Sequence, residues 1–219
     1  MSTCDWVSAT NTLGDCVNTD VDGNAWGVVA YTLSNGTTYL FVAEPSIKRC
    51  TIAPGSGTLS GCTNTGINVI QPFDMVVYNN ILYVVGDDVL GCPINPTTGE
   101  LITVADTQMT DKGDDPAGLA INGDYLYITY ASTNAVFKCP LATLSTSNPS
   151  PCELTAADNL VGPFDLAFDD GFAYITNGDV DSVTRCMVNT STGDLGPGCE
   201  QSTSLTLSGP VGIVFPPQV

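Results

Sequence analysis

Histidine is absent from all 219 residues. Imidazole is thereby removed both as a metal ligand and as a general base, leaving carboxylates, tyrosine, lysine or a bound cation for any chemistry. Positive charge is nearly as scarce: five Lys and Arg stand against 23 Asp and Glu, a net charge of −18. Such a surface repels phosphate backbones and anionic headgroups, so nucleic acid is excluded as a partner. No apolar run approaches the ~20 residues a transmembrane helix needs, and no membrane insertion is expected. No basic, apolar leader stands at Met1, although a secreted chain given a new start Met would read the same way. No stretch of 3.6-residue periodicity is present, which excludes a substantial helix. Charged residues make up only 13% of the chain and apolar residues 43%, so this is a packed chain and not an acidic tail. Its polar surface comes from Thr, Ser, Asn and Gly, a composition that suits an extracellular protein.

The chain repeats itself. Trp26-Gly27-Val28-Val29-Ala30 returns as Phe73-Asp74-Met75-Val76-Val77, Ala117-Gly118-Leu119-Ala120-Ile121, Phe164-Asp165-Leu166-Ala167-Phe168 and Val211-Gly212-Ile213-Val214-Phe215. The Gly/Asp positions 27, 74, 118, 165 and 212 are separated by 47, 44, 47 and 47 residues. A period of 40 to 50 residues built from short strands is that of propeller blades, which bury their faces only by stacking on neighbours.

The fourth repeat reads as four strands. Pro163 to Phe168 is an apolar, buried strand, and Asp169-Asp170-Gly171 is a tight turn. Phe172 to Asn177 is aromatic and β-branched. Ser182 to Val188 alternates as a third strand, and Asp194-Leu195 leads into a short fourth ending near Cys199. Tyr39 to Val42, Ile81 to Val84 and Tyr125 to Thr129 fill the second-strand slot elsewhere. Ile47 to Cys50, Leu90 to Cys92 and Val136 to Cys139 fill the third. Thr58-Leu59, Glu100-Leu101 and Leu141 to Leu144 fall near the fourth.

Ala173-Tyr174-Ile175-Thr176-Asn177, followed by Ser182-Val183-Thr184 and Thr192-Gly193-Asp194-Leu195, resembles the YVTN-type β-propeller repeat. That family is related to the NHL-repeat and lactonase-like propellers. The resemblance extends over the whole chain as a blade pattern and implies the fold. It is nearly silent on activity, because propellers host many functions.

The expectation is therefore an all-β, single-domain, five-bladed β-propeller. Its blades span about 25–62, 72–105, 116–152 and 163–199, with the fifth assembled from 209–219 and 3–16. Thr3 to Ser8 matches a third strand, Thr12 to Cys16 a fourth and Gly209 to Phe215 a first, so the ends of the chain close the ring. No counterpart of the second strand follows Phe215. The fifth blade then either has three strands or takes a strand from another chain.

Eight of the nine cysteines pair at separations of 12, 12, 13 and 13 residues, each time joining a third strand to the end of the fourth strand in the same repeat. Opposed residues of an antiparallel pair lie within disulfide reach. Cys4–Cys16, Cys50–Cys62, Cys139–Cys152 and Cys186–Cys199 are the expected bridges, and they place the chain in an oxidising compartment, extracellular or at the cell surface. Cys92 has no mate, since Val104 and Ala105 occupy the partner positions, and it is expected to be a free thiol.

Asp74 and Asp165 replace Gly at the repeat position of innermost strands. They read as structural carboxylates, with a channel cation site or an acid/base pair as the alternative. Asn18, Asp20 and Asp22, followed by Gly23, resemble the first half of a calcium loop, but Val29 stands where the loop's closing Glu belongs. No cofactor is expected, with calcium as the alternative. Lys48, Arg49, Lys138 and Arg185 precede the third-strand cysteines and read as outward rungs facing nearby acids. Asn35 and Asn189 open glycosylation sequons. The function expected from these features is non-catalytic: a binding or self-assembling module, with a protein or a second copy as partner through the fifth blade. A glycan-binding lectin comes next, then a metal-dependent lactonase-like hydrolase.

Overall fold

The computed structural model describes residues 25–102, 115–144, 152–202 and 207–215 in full, and 2–7 and 12–18 as paired backbone. Among the described residues, all regular structure is β apart from one four-residue helical turn. β1 (Ser2–Val7) and β2 (Thr12–Asn18) form a hairpin in which Cys4 lies opposite Cys16. Sheet 1 comprises β3 (Val28–Thr32), β4 (Thr38–Val42), β5 (Ser46–Ile52) and β6 (Leu59–Asn68). Sheet 2 comprises β7 (Asp74–Tyr78), β8 (Ile81–Val85) and β9 (Val89–Pro93). Sheet 3 comprises β10 (Pro116–Asn122), β11 (Tyr125–Tyr130), β12 (Ala135–Pro140) and, after the helical turn α1 (Leu141–Leu144), β13 (Glu153–Leu154). Sheet 4 comprises β14 (Pro163–Asp169), β15 (Phe172–Asn177), β16 (Ser182–Met187) and β17 (Glu200–Gln201).

Every pairing is antiparallel between consecutive strands, so each sheet is a meander. The first strands β3, β7, β10 and β14 lie against one another in order. The apolar core sits between successive sheets. Phe41, Ile47, Leu82 and Val84 fill the space between sheets 1 and 2. Tyr83, Leu126, Ile128 and Leu144 fill that between sheets 2 and 3, and Tyr127, Leu166, Ile175 and Leu195 that between 3 and 4. Strands buried on both faces explain why the second strands read as continuous apolar runs.

Several details differ from the sequence reading. The fourth strands run on past their cysteines: Cys152 and Cys199 precede β13 and β17. Leu141 to Leu144 is a helical turn, because Leu141 and Leu144 both turn into the core. Glu100-Leu101 makes only an isolated bridge from Leu101 to Ile94. Most importantly, the two chain ends do not share a sheet among the described residues. β1 pairs with β2 alone, and Val211 to Phe215 forms no strand.

The C-terminal segment nevertheless occupies the next repeat position. Ile213 N donates to Asp165 Oδ2 at 2.8 Å, just as Leu119 N donates to Asp74 Oδ2 at 2.8 Å. Phe215 packs on Tyr174 with ring centroids 4.9 Å apart, as Phe168 packs on Tyr127 at 4.7 Å.

Three of the expected bridges are present: Cys50–Cys62, Cys139–Cys152 and Cys186–Cys199, with Cα separations of 4.0, 4.3 and 4.4 Å. The side chains of Cys4 and Cys16 lie outside the described residues. Cys92 is a free, buried thiol, and burial pushes it up to about 11.

Candidate functional site

The starts of the first strands converge, and the sequence alternates there: Gly27, Asp74, Gly118, Asp165, Gly212. Each residue type does a separate job. A Cβ on Gly27 would stand 2.9 Å from Asp74 Cα. A Cβ on Gly118 would stand 2.8 Å from Asp165 Cα and closer still to the Phe164 carbonyl. Glycine therefore lets the following strand approach. Each aspartate then reaches onward. Asp74 accepts from its neighbour Met75 N at 2.7 Å and from Leu119 N of sheet 3. Asp165 accepts from Leu166 N at 2.7 Å and from Ile213 N.

Buried threonines complete these joints. Thr129 Oγ1 accepts from Gly118 N at 2.8 Å and donates to the Phe164 carbonyl at 2.7 Å. Thr176 Oγ1 accepts from Asp165 N at 2.9 Å. These bonds accompany register shifts between Pro116 and Leu119 and between Pro163 and Leu166.

Burial raises Asp74 to about 6. The Leu119 and Met75 amides pull it down, and the Asp165 charge pushes it further up. Asp165 is raised too, again by burial, against the Ile213 and Leu166 amides. The two carboxylates thus feel one another although they stand on non-consecutive sheets. Asp74 is poised where a carboxylate can take and return a proton near neutrality.

An aromatic chain stands beside them. The residue before each Gly or Asp is Trp26, Phe73, Ala117, Phe164 or Val211. Trp26 meets Phe73 edge-on at 5.7 Å, and Phe73 meets Phe164 at 6.0 Å, reaching from sheet 2 to sheet 4 past the small Ala117. Trp26 keeps 57% of its surface in solvent. An exposed indole next to partly buried carboxylates can serve as a platform for the apolar face of a sugar-like ring. The signal was the aromatic preceding the repeat glycine, a position that goes unnoticed when the glycine itself defines the repeat.

Asp74 and Asp165 are thus brought to one place, while Asp20 and Asp22 lie outside the described residues and Asn18 is known only as backbone of β2. Among the described residues, no three His, Cys, Asp or Glu side chains gather as a metal site. Asn35 and Asn189 are both exposed in turns, where Asn35 Oδ1 accepts from Thr37 N and Asn189 Oδ1 from Ser191 N. Three of the four cations face acids as expected, Lys48, Lys138 and Arg185, but Lys138 and Arg49 also reach the next sheet. Lys138 is 6% exposed and donates to the Thr192 carbonyl of the next sheet at 2.8 Å. Arg49 likewise donates to the Thr98 carbonyl at 3.1 Å. Lys48 holds Glu44 at 3.1 Å, and Arg185 holds Glu200.

This architecture is similar to that of solved β-propeller-type proteins, several of them lactonases by name. No family model matches the chain, and no curated protein does. Among solved structures, the periplasmic gluconolactonase PpgL of Pseudomonas aeruginosa matches with a TM-score of 0.66 at 15% identity, over 94% of this chain and 63% of its own. A 6-phosphogluconolactonase candidate from Bacteroides uniformis matches with a TM-score of 0.65 at 16% identity, over 94% and 64%. An auxiliary nutrient binding protein from Bacteroides ovatus matches with a TM-score of 0.62 at 15% identity, over 88% and 50%. The chain thus spans less than two thirds of the length of each. At these identities the likeness carries the fold.

The neighbours overturn the expectation of a non-catalytic, self-assembling module that is not an enzyme. Lactonases by name share the fold over nearly the whole chain. The three disulfides mark a protein made outside the reducing cytoplasm.

Proposed function

We propose that this chain is a lactonase-like hydrolase acting on neutral sugar lactones beside Asp74. The observation that carries the reading is a partly buried carboxyl raised to about 6, close enough to a second raised carboxyl to feel its charge, with an exposed indole on the preceding repeat. In this reading the Asp74 carboxylate takes a proton from water as its oxygen attacks the lactone carbonyl. The ring C–O bond then breaks, and the proton passes to the departing ring oxygen, giving an open hydroxy acid. Asp165 keeps the Asp74 carboxylate basic through its own negative charge. Trp26 offers its face to the sugar ring.

Charge supports an unphosphorylated substrate. The protein carries a net charge of −18, and the four described Lys and Arg side chains are engaged with Glu44, Thr98, Thr192 and Glu200. A sugar phosphate would approach an acidic surface with little to neutralise it. The reading includes a five-bladed propeller of the YVTN/NHL type in an extracellular setting, supported by the fifth repeat position that Ile213 and Phe215 occupy and by the disulfides.

The test is hydrolysis of glucono-1,5-lactone and of its 6-phosphate, followed by proton release. Turnover of the neutral lactone is expected, rising with pH through about 6 as Asp74 ionises. Asp74→Asn is expected to abolish it while the circular dichroism stays native. A folded protein that leaves both lactones at the background rate would end the proposal.

A further inference from the structure

Two of the sheet-to-sheet joints share a device. On sheet 1, Arg49 lies over the Tyr39 ring at 4.6 Å and donates to the Thr98 carbonyl of sheet 2. The turn that carries Thr98 continues into Gly99, which lies against Tyr39 so closely that a Cβ would clash with its Cε2. On sheet 3, Lys138 lies 5.4 Å from the Tyr125 ring centroid and donates to the Thr192 carbonyl of sheet 4, while Gly193 presses on Tyr125 in the same manner. Tyr127 OH closes that joint by donating to the Gly193 carbonyl at 2.6 Å. An aromatic and a cation on one sheet thus form a socket for a Thr-Gly turn of the next.

The remaining joint shows that the two halves go together. Sheet 3 has the helical turn α1 where sheets 2 and 4 have Thr-Gly, and sheet 2, which faces it, carries Ile81 and Gly91 at the socket positions. The socket is present where a Thr-Gly turn follows and absent where it does not.

Sheet 4 carries a complete socket. Arg185 lies over the Phe172 ring at 4.7 Å, and its pairing with Glu200 repeats the pairing of Lys138 with Glu153. Beside it runs a groove of about 470 Å³ lined by Tyr174, Val183, Arg185, Glu200, Ile213 and Phe215. We propose that this socket receives the turn of the chain's own β1–β2 hairpin, seating Thr10-Asn11-Thr12 as Thr98-Gly99 and Thr192-Gly193 are seated in the other two.

Three observations select that occupant. First, both seated glycines stand seven residues after a third-strand cysteine, Gly99 after Cys92 and Gly193 after Cys186, and Gly57, which meets no neighbour, keeps the same spacing after Cys50. Seven residues after Cys4 comes Asn11. Second, those glycines have φ of +68°, +69° and +69°, a conformation that asparagine tolerates better than other side chains. Third, Ile213 and Phe215 already hold the next repeat position against sheet 4. Cys16 precedes Gly27 by 11 residues, close to the 12 and 13 that separate Cys62 from Asp74 and Cys152 from Asp165. The hairpin therefore belongs to the repeat directly before sheet 1, which in a closed ring is also the one after sheet 4.

The experiment places p-benzoylphenylalanine at position 172 of the full chain, irradiates it, and maps the cross-link by mass spectrometry. The expected product has monomer mass and joins position 172 to the peptide containing Thr10 to Thr12. Arg185→Ala and Asn11→Val should each lower that yield severalfold, and Asn11→Gly should preserve it, with urea unfolding confirming that each variant is folded. A cross-link between two chains, a cross-link to any other segment, no cross-link, or a yield indifferent to Arg185 and Asn11 would overturn the proposal. None of these outcomes depends on lactone turnover.

Discussion

Asp74 should make this protein less stable as pH rises through the mildly acidic range, opposite to the usual contribution of a carboxylate. Its pKa is raised from 3.8 to about 6 on folding, with burial the largest cause. Below pH 4 the group is protonated in the folded and unfolded chain alike. Between 4 and 6 the folded chain holds a proton that the unfolded chain has lost, so unfolding releases a proton and stability falls as pH rises. Above 6 the whole penalty is in place. A shift of about two units at 1.36 kcal/mol each amounts to about 3 kcal/mol of stability lost between pH 4 and pH 7. Asp165, also raised, acts in the same direction. The perturbation is Asp74→Asn, which removes the titration and weakens the bonds to Met75 N and Leu119 N. Urea unfolding followed by tryptophan fluorescence at half-unit steps from pH 4 to 8 gives both stability curves. The variant should be clearly weaker than the parent at pH 4, and should regain about 3 kcal/mol relative to it by pH 7. Parallel curves would refute the reasoning, because they would show that Asp74 titrates alike in both states.

Gly118→Ala should destabilise the protein by about 1 to 3 kcal/mol in urea unfolding, since its Cβ meets the Phe164 carbonyl and Asp165 Cα with no flexible neighbour to yield. Tyr127→Phe should cost about 1 kcal/mol, the ordinary value of its bond to the Gly193 carbonyl, and a neutral result would show that bond to be unimportant. Replacing Cys139 and Cys152 together by Ala should cost about 2 to 4 kcal/mol, as the 13-residue separation predicts. Cys92 should resist a thiol reagent in the native protein and react on denaturation, because it is 3% exposed and raised to about 11, and prompt native-state labelling would contradict its placement.

What the sequence made legible was whatever recurs at fixed spacing. The Gly/Asp positions, the second strands and the cysteine pairs all repeat, and a repeat exposes the rule that each copy obeys. What stayed hidden lies between copies. The reach of Arg49 and Lys138 to carbonyls of the next sheet depends on how sheets stack, which no single repeat encodes. The chain of Trp26, Phe73 and Phe164 bridges sheets 2 and 4 across Ala117, a contact between residues 91 apart in sequence that no local pattern reveals. Leu141 to Leu144 filled a β slot by homology with its neighbours, yet two leucines three apart fold onto the core as one helical turn. The fifth repeat was legible as a sequence, but among the described residues its strands do not join.

The alternation of Gly27, Asp74, Gly118, Asp165 and Gly212 bears on how such a chain can grow. A tight joint needs a glycine facing an aspartate, and a carboxylate staple needs an aspartate followed by a free amide. Within the run from Gly27 to Gly212, copying a single module would set two glycines or two aspartates side by side and spoil a joint, as closing a ring of five sets Gly212 beside Gly27. Lengthening or shortening the run by a pair keeps every internal joint. A designer extending this scaffold should insert modules two at a time and expect the closing joint to differ from the rest.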